Sequence, residues 1–299
     1  MSGLIAITGA EGQLGRSLVK RLGDRALGWS RAACNVASPE SVQECLETLE
    51  KSGNVPSALI NAAAYNAVDA AESDRDGAWR VNVEGPRVLA EACLERGIRF
   101  IHISTDYVFG NGPAPTGGWR ETDEPQPRSI YAETKRDGER AVLKSTTHGG
   151  PHPLVVRTCG LYAAPSATGK RSFVEAILQR AATGQPLRVV NDQRCTPTSV
   201  DDLVDALLRL LETDASGLVH VVNSGDCTWF EFAAEILRLA GMDVPITPIS
   251  SADLNQKALR PSDSHLSTAR YEQLTGHQLP TWQAALKSRL QADGRLNTS

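Results

Sequence analysis

The sequence predicts an α/β protein: a doubly wound parallel sheet with a smaller, partly interleaved α/β second domain. Three observations carry this. Over roughly the first 160 residues, short apolar runs alternate with segments of helical period, the pattern of βαβ units. A glycine-spaced turn, TGAEGQLG (8–15), joins the first run to the first helical segment. After Arg157 the alternation loosens, with helical patterns near 172–183, 199–212 and 228–240 between short apolar strands.

Residues 4–7 (LIAI) read as a buried strand. Leu14, Leu18 and Leu22 recur every four residues and mark one face of a helix. A second strand is expected at 26–29, and Val42, Cys45, Leu46 and Leu49 mark the next helix. A third strand at 58–60 leads into one long helical region ending at Arg96, with Val81, Val88, Leu89, Ala92 and Cys93 on one face. A fourth strand at 100–103, a helix at 129–143 and a strand at 154–156 complete the series. The expected division assigns 1–157, with part of about 187–224, to the first domain and about 158–186 with 225–299 to the second. Between the fourth strand and the following helix lies GNGPAPTGGWRETDEPQPR (110–128), polar and without period. Loops of that length inside a domain are uncommon and are often functional.

Composition narrows the function classes. The 299 residues are 41% hydrophobic and 22% charged, with net charge −4, an ordinary globular balance with no basic footprint for nucleic acid. No apolar run approaches the ~18 residues of a membrane span. The N-terminus, MSGLIAITGAEGQLG, lacks a basic region before its short apolar run, so a signal peptide is not expected and the cytoplasm is. The six cysteines are scattered without CxxC or zinc spacing. They read as reduced, buried thiols, and no metal site is expected.

The chemistry-bearing stretches fall at strand ends, where open α/β sheets bind ligands. Gly9, Gly12 and Gly15 are spaced GxxGxxG between the first strand and first helix. Glycines there let backbone amides approach a pyrophosphate, whose charge the helix N-terminus favours. After the second strand come Ser30 and Arg31 with no acid. An acid would hold a ribose 2′-hydroxyl, whereas an arginine suits a 2′-phosphate. NADPH is therefore the expected cofactor, with NADH allowed. Ala62, Ala63 and Ala64 follow the third strand; they could leave backbone open to a ligand or serve tight helix–sheet packing. The fourth strand ends in Ser104, Thr105 and Asp106, hydroxyl and acid groups at the ligand edge. In YAETK (131–135), Tyr131 and Lys135 stand one helical turn apart and share a face. A nearby ammonium favours phenolate, so the pair predicts a tyrosine of lowered pKa acting as a tuned acid.

Together these stretches resemble the extended short-chain dehydrogenase/reductases, and most of all the dTDP-4-dehydrorhamnose reductase family. The resemblance spans nearly the whole chain, through GAEGQLG, NAAAYNAVDAAE, STDYVFG, YAETKRDGE, VVRT, NDQRCTPT, LRPSDSHLST and LPTWQAAL. It implies a Rossmann-type domain and hydride transfer from NADPH to a nucleotide-linked 4-keto-6-deoxyhexose. Tyr131 would be the general acid, Thr105 the hydroxyl beside it, and Lys135 the partner that holds the nicotinamide ribose and keeps the tyrosine pKa low. Gly12, Gln13 and Leu14 match the phosphate turn, and Ala63, Ala64 and Tyr65 match the segment along the cofactor. Asn35 and Val36 fall near the adenine, in place of the usual Asp and apolar residue. Thr105, Asp106, Tyr107 and Arg260 match substrate contacts, Arg260 at the diphosphate. The family carries Trp in RTxWxY, whereas this chain reads Arg157-Thr158-Cys159-Gly160-Leu161-Tyr162. Gly160 leaves that wall open, with three outcomes: a bulkier substrate, weak binding of the usual one, or another aromatic closing the gap; a lid formed by Trp119 in the 110–128 loop is favoured, with Tyr162 an alternative.

Two other readings share the scaffold. A dehydratase or epimerase would resemble Thr-Asp-Glu at the fourth strand end, but Tyr107 stands where the Glu would be. A non-catalytic binding subunit, like the regulatory subunit of methionine adenosyltransferase, has no need of Thr105, Tyr131 and Lys135 together. A nucleotide sugar is the expected partner, and a homodimer is allowed.

Overall fold

The computed structural model describes residues 3–145, 151–165 and 171–297. The first half alternates as expected: β1 (Ile5–Thr8), α1 (Gln13–Leu22), β2 (Ala26–Trp29), α2 (Pro39–Lys51) and β3 (Ala58–Asn61). Then come α3 (Val68–Ala71), α4 (Arg75–Trp79), a π-helical turn (Arg80–Glu84), α5 (Gly85–Glu95), β4 (Arg99–Thr105), α6 (Ile130–Lys144) and β5 (Leu154–Thr158). The second half holds β6 (Leu161–Tyr162), α7 (Phe173–Ala181), β7 (Leu187–Val190), β8 (Arg194–Cys195), β9 (Thr198–Ser199), α8 (Val200–Leu211) and β10 (Gly217–His220). It closes with β11 (Cys227–Thr228), α9 (Trp229–Ala240), β12 (Ile246–Ile249), α10 (Ala269–Thr275) and α11 (Trp282–Ala292).

Six strands form one parallel sheet in the order β2-β1-β3-β4-β5-β10. From β1 the chain goes outward to β2 on one side and to β3 on the other, so the order reverses at β1. A crevice opens there, beyond the carboxyl ends of the strands. One apolar layer, with Leu14 and Leu18 of α1 and Leu203 and Leu207 of α8, covers one face. The other layer, with Val42 and Leu46 of α2, Leu89 and Cys93 of α5 and Val142 of α6, covers the opposite face. Local signals set the helix starts. Ser38 accepts from the Ser41 N–H at 3.2 Å ahead of Pro39, and Ser129 accepts from the Ala132 N–H at 3.3 Å to open α6, each satisfying an otherwise orphaned first-turn amide.

The single long helix expected up to Arg96 is corrected: that segment is broken into α3, α4, the π-helical turn and α5. Asp74 accepts from the Gly77 N–H at 3.0 Å and starts α4 anew. Pro86 has no N–H to give, so the regular bond to the Asn82 carbonyl cannot form. The Gly85 N–H bonds instead to Arg80, five residues back. The widened turn aims Asn82 inward. Its side chain accepts from the Tyr65 N–H at 2.9 Å and donates to the Tyr65 carbonyl and to Thr134, each at 3.1 Å. The break thus pins the segment after β3 to α6.

A separate apolar cluster lies off the sheet. It joins Val174 and Ile177 of α7, Leu187 of β7, Phe232 and Ile236 of α9, and Trp282 and Leu286 of α11. Capping boxes Ser172–Glu175 and Thr228–Glu231 start α7 and α9.

Candidate active site

Two adjoining cavities form one cleft along the carboxyl ends of β1, β3 and β4. The first, about 390 Å³, is lined by Gly9, Gly12, Arg31, Asn35, Val36 and Tyr65 among others. The second, about 530 Å³, reaches Leu14, Thr105, Tyr131, Lys135, Gly160 and Trp229. Both include Glu11, Gly12, Ala62, Ala64 and Asn66, which makes them continuous. Among the described residues, no group of three or more His, Cys, Asp or Glu is arranged to hold a metal ion.

The glycine turn is shaped by close approach. Gly9 has φ of +68°, and a side chain there would strike the backbone of Ala62 and Ala63 at 2.8 Å. Gly15 lies against the Gly9 carbonyl with no room for a Cβ. No side chain caps α1 at Gly12, so its first amides are left for an anion at the helix N-terminus. These residues fit a dinucleotide: the turn leaves backbone amides for a pyrophosphate, and the cleft runs from Arg31, Asn35 and Val36 at one end to Tyr131 and Lys135 at the other. Gln13 and Ala63 also line the cleft. Ser30 does not line either cavity. Its hydroxyl accepts from the Ala33 N–H at 3.2 Å and its carbonyl from the Cys34 N–H at 2.9 Å, so it shapes the turn that presents Arg31. Ser104 reaches the cavity wall, but its hydroxyl donates to Glu139 at 2.5 Å and supports α6.

Thr105 at the end of β4 and Tyr131 and Lys135 on α6 face the second cavity. The Thr105 hydroxyl accepts from the Tyr107 N–H at 3.2 Å. The expected lowering of the Tyr131 pKa is reversed. Burial pushes the hydroxyl up to about 12; a hydrogen bond with Thr105 works against this and the Asp106 carboxylate with it. The reason is where the lysine points: Lys135 Nζ donates to the Ile103 carbonyl at 2.7 Å and lies 3.4 Å from His102 Nε2. Burial also brings Lys135 down to about 8, against the pull of Glu139. Tyr131 therefore keeps its proton at neutral pH, the state a general acid needs.

Asp106 is buried, and burial raises it to about 6 against its hydrogen bonds. It accepts from Ser264 at 2.6 Å, Cys159 at 3.0 Å and Thr105 at 3.2 Å, which ties the 258–268 segment to the end of β4. Tyr107 meets Tyr131 edge-on, ring centroids 5.9 Å apart. Arg260 grips Asp69 through both carboxylate oxygens, at 2.8 and 3.2 Å, while lining a third cavity of about 290 Å³ with Tyr107, Arg188, Gln193, Trp229 and Gln256.

Trp119 is not a lid, which corrects the expectation for the 110–128 loop. Its ring stacks on Phe109 at 4.8 Å and its Nε1 donates to the Asp263 carbonyl at 2.9 Å. Its backbone pairs with His265 and Ser267 at 2.9 and 2.8 Å. Tyr162 is sealed inside the second apolar cluster. The aromatic beside Gly160 is Trp229, which sequence reasoning missed. Gly160 has φ of +53°, and a Cβ there would sit 3.3 Å from the Trp229 ring and 3.2 Å from Pro197. Also missed was the buried pair behind α6. Arg157 donates to Glu139 at 2.7 and 2.9 Å and lies 5.0 Å over the Phe109 ring. Both members stood in quoted motifs, but nothing in a linear motif shows that two charges 18 residues apart are buried together.

A parallel sheet, a glycine turn over its crevice and a Tyr-x-x-x-Lys pair in the same cleft define an extended short-chain dehydrogenase/reductase, an NAD(P)-dependent oxidoreductase. Residues 3–294 match the RmlD substrate binding domain model. The chain is 38% identical over 296 residues to the dTDP-4-dehydrorhamnose reductase of Mycobacterium tuberculosis, covering 96% of this chain and 92% of that one. It is 38% identical over 290 residues to a probable dTDP-4,6-dihydroxy-2-methyloxan-3-one 4-ketoreductase of Streptomyces antibioticus, covering 94% and 92%. Among solved structures it resembles the dTDP-4-dehydrorhamnose reductase of Bacillus anthracis in complex with NADP, with TM-score 0.88, 32% identity and coverage of 98% and 100%. The chain belongs to the dTDP-4-dehydrorhamnose reductase family.

Proposed function

We propose that this protein uses NADPH to reduce the 4-keto group of a nucleotide-linked 4-keto-6-deoxyhexose, with dTDP-4-dehydro-L-rhamnose to dTDP-L-rhamnose the favoured conversion. The observation that supports it most is one cavity shared by Thr105, Tyr131 and Lys135 and continuous with the glycine turn. NADPH bound along the cleft supplies the hydride for the keto carbon. As negative charge develops on the ketone oxygen, Tyr131 gives it a proton and the Thr105 hydroxyl holds the same oxygen. Lys135, while charged, holds the nicotinamide ribose and stabilises the phenolate left behind. Trp229 and Tyr107 stand between this chamber and the third cavity. There, Arg188, Gln193, Gln256 and Arg260 suit a base and diphosphate, with phosphate competing against Asp69 for the Arg260 fork. The off-sheet cluster supports the proposed substrate domain of about 158–186 and 225–299.

The test is stoichiometric NADPH consumption against a panel of dTDP- and GDP-linked 4-keto sugars, with NMR of the product. An epimerase would leave NADPH unconsumed, and a binding subunit would bind NADPH with no turnover of any sugar. A different 4-keto sugar is the second reading, favoured by the wall at Gly160, where Trp229 from α9 borders the pocket.

Two predictions follow from the ends of the cleft. Arg31 sits exposed on the wall of the first cavity. NADPH should show a lower KM than NADH, and Arg31→Ala should narrow that preference roughly tenfold or more, the worth of a charge-assisted phosphate contact. An unaltered preference would remove Arg31 from this role. At the other end, Trp229→Ala should raise the KM for the sugar nucleotide roughly tenfold and leave NADPH affinity unchanged. Trp119→Ala should instead lower the melting temperature with little change in KM. If the KM effect belonged to Trp119 and not Trp229, this wall assignment would fail.

A further inference from the structure

Beneath Lys135 a row of buried polar groups crosses the sheet, and the proposed reaction uses none of it. Thr8, Asn61 and His102 are paired in register on β1, β3 and β4 and have no exposed surface. The Thr8 hydroxyl donates to Asn61 Oδ1 at 2.6 Å, and the Ala63 N–H donates to the same oxygen at 3.2 Å. Two donors on one oxygen fix the carboxamide. Its Nδ2 then faces His102 Nδ1 at 3.0 Å. An amide nitrogen only donates, so Nδ1 is the accepting nitrogen. Burial holds His102 well below its ordinary pKa, and the charge of Lys135 acts the same way, so the ring is neutral. A neutral imidazole accepting at Nδ1 carries its proton on Nε2. That nitrogen lies 3.4 Å from Lys135 Nζ.

An N–H thus points at the ammonium, where a lone pair would have stabilised it. We infer that His102 is a positioning residue for Lys135: Asn61 locks its tautomer so that a donor faces Nζ, which favours the neutral amine, able to accept that hydrogen, as the pH rises. This rests on reading Lys135 as part of the reductase site. The other groups around Nζ define what His102 works against. From α6 itself, Tyr131 shares the cavity, and Glu139 favours the charged lysine while paired with Arg157 of β5. Asp106 and Cys159 lie at the ends of β4 and β5, and Glu11 and Arg16 line the same cavity from the glycine turn and α1. The Ile103 carbonyl also favours the ammonium. Among the described residues, His102 is the contact on Nζ that opposes it, and Asn61, which fixes it, immediately precedes the alanines that line the cofactor cleft.

The test begins without activity. Imidazole ¹⁵N shifts of the intact protein near neutral pH should show His102 protonated on Nε2 and bare on Nδ1. The opposite tautomer, or an imidazolium, would overturn the inference. With [¹³Cε]lysine labelling, assigned through Lys135→Arg, the Lys135 titration should move upward by about one pH unit in His102→Gln, which can turn an oxygen toward Nζ. Asn61→Asp should shift it the same way, because a carboxylate demands a proton on Nδ1 and frees the Nε2 lone pair. A titration that stays in place in both folded variants also overturns it. The alkaline limb of kcat/KM for NADPH consumption should move with the lysine. If the lysine titration moves and the rate profile does not, the pairing stands and Lys135 loses its place in the proposed reaction.

Discussion

Tyr131→Phe should lower turnover of the sugar nucleotide by roughly two to four orders of magnitude, the usual contribution of a positioned general acid. NADPH affinity should barely change. The substitution removes only the hydroxyl, and the ring can keep its edge-on contact with Tyr107 at 5.9 Å, so the loss reports the proton and not packing. Steady-state kcat together with a fluorescence titration of NADPH separates the two. A mutant with near-normal kcat would take Tyr131 out of the acid role. The pH profile adds a check on sign. Tyr131 is held up to about 12 and Lys135 brought down to about 8. The tyrosine remains protonated well past the point where the lysine loses its charge, so the alkaline fall in rate should track Lys135.

Arg157→Ala should cost about 3–5 kcal/mol of stability, because it strands the Glu139 carboxylate in the core. Arg157 is 1% exposed and Glu139 2%. With the guanidinium gone, the carboxylate keeps the Ser104 hydroxyl and the more distant charge of Lys135 but no directly paired cation. Urea unfolding followed by circular dichroism gives the change directly. The paired replacement of Glu139→Leu with Arg157→Met should recover most of the loss, since apolar groups of similar volume often serve as well as a buried ion pair. A single variant as stable as the parent would show that solvent reaches Glu139 after all. The pair braces α6 against β5, so its loss should also disturb the placement of Tyr131 and Lys135.

The sheet and glycine turn were legible because local pattern decides them. Buried parallel strands such as Ile5–Thr8 and Ala58–Asn61 read as apolar runs, and Gly9 declares a turn that admits no side chain. The long helix was misread because Val81, Val88 and Leu89 keep an apolar face through the break; only the consequence of Pro86, a π-helical turn that aims Asn82 at Tyr65, reveals it. Trp119 looked like a lid because its partners, Asp263 and Leu266, lie more than a hundred residues further along. For Arg260 the sequence suggested a phosphate contact but gave no sign of its partner in the chain, Asp69, 191 residues away. For Tyr131 the helical spacing correctly placed a lysine one turn on. Spacing fixes where two side chains start, but not that Nζ turns down to Ile103 and His102 while burial governs the tyrosine.

The position of β10 has a consequence for synthesis. The strand pairs with β5 along residues 154–157, yet it is made only after the chain has left the sheet and returned at Gly217. A nascent chain that has emerged as far as Thr158 already holds the other five strands, with β5 at an open edge. Leu154, Val155 and Val156 then offer unpaired amides and carbonyls flanked by apolar side chains, a template on which strands of other chains can pair. At ordinary elongation rates the gap lasts roughly 3 to 12 seconds. Productive yield in the cell therefore turns on what shields that border during those seconds, and a chaperone that holds the half-made sheet would serve this fold more than one acting on the finished chain.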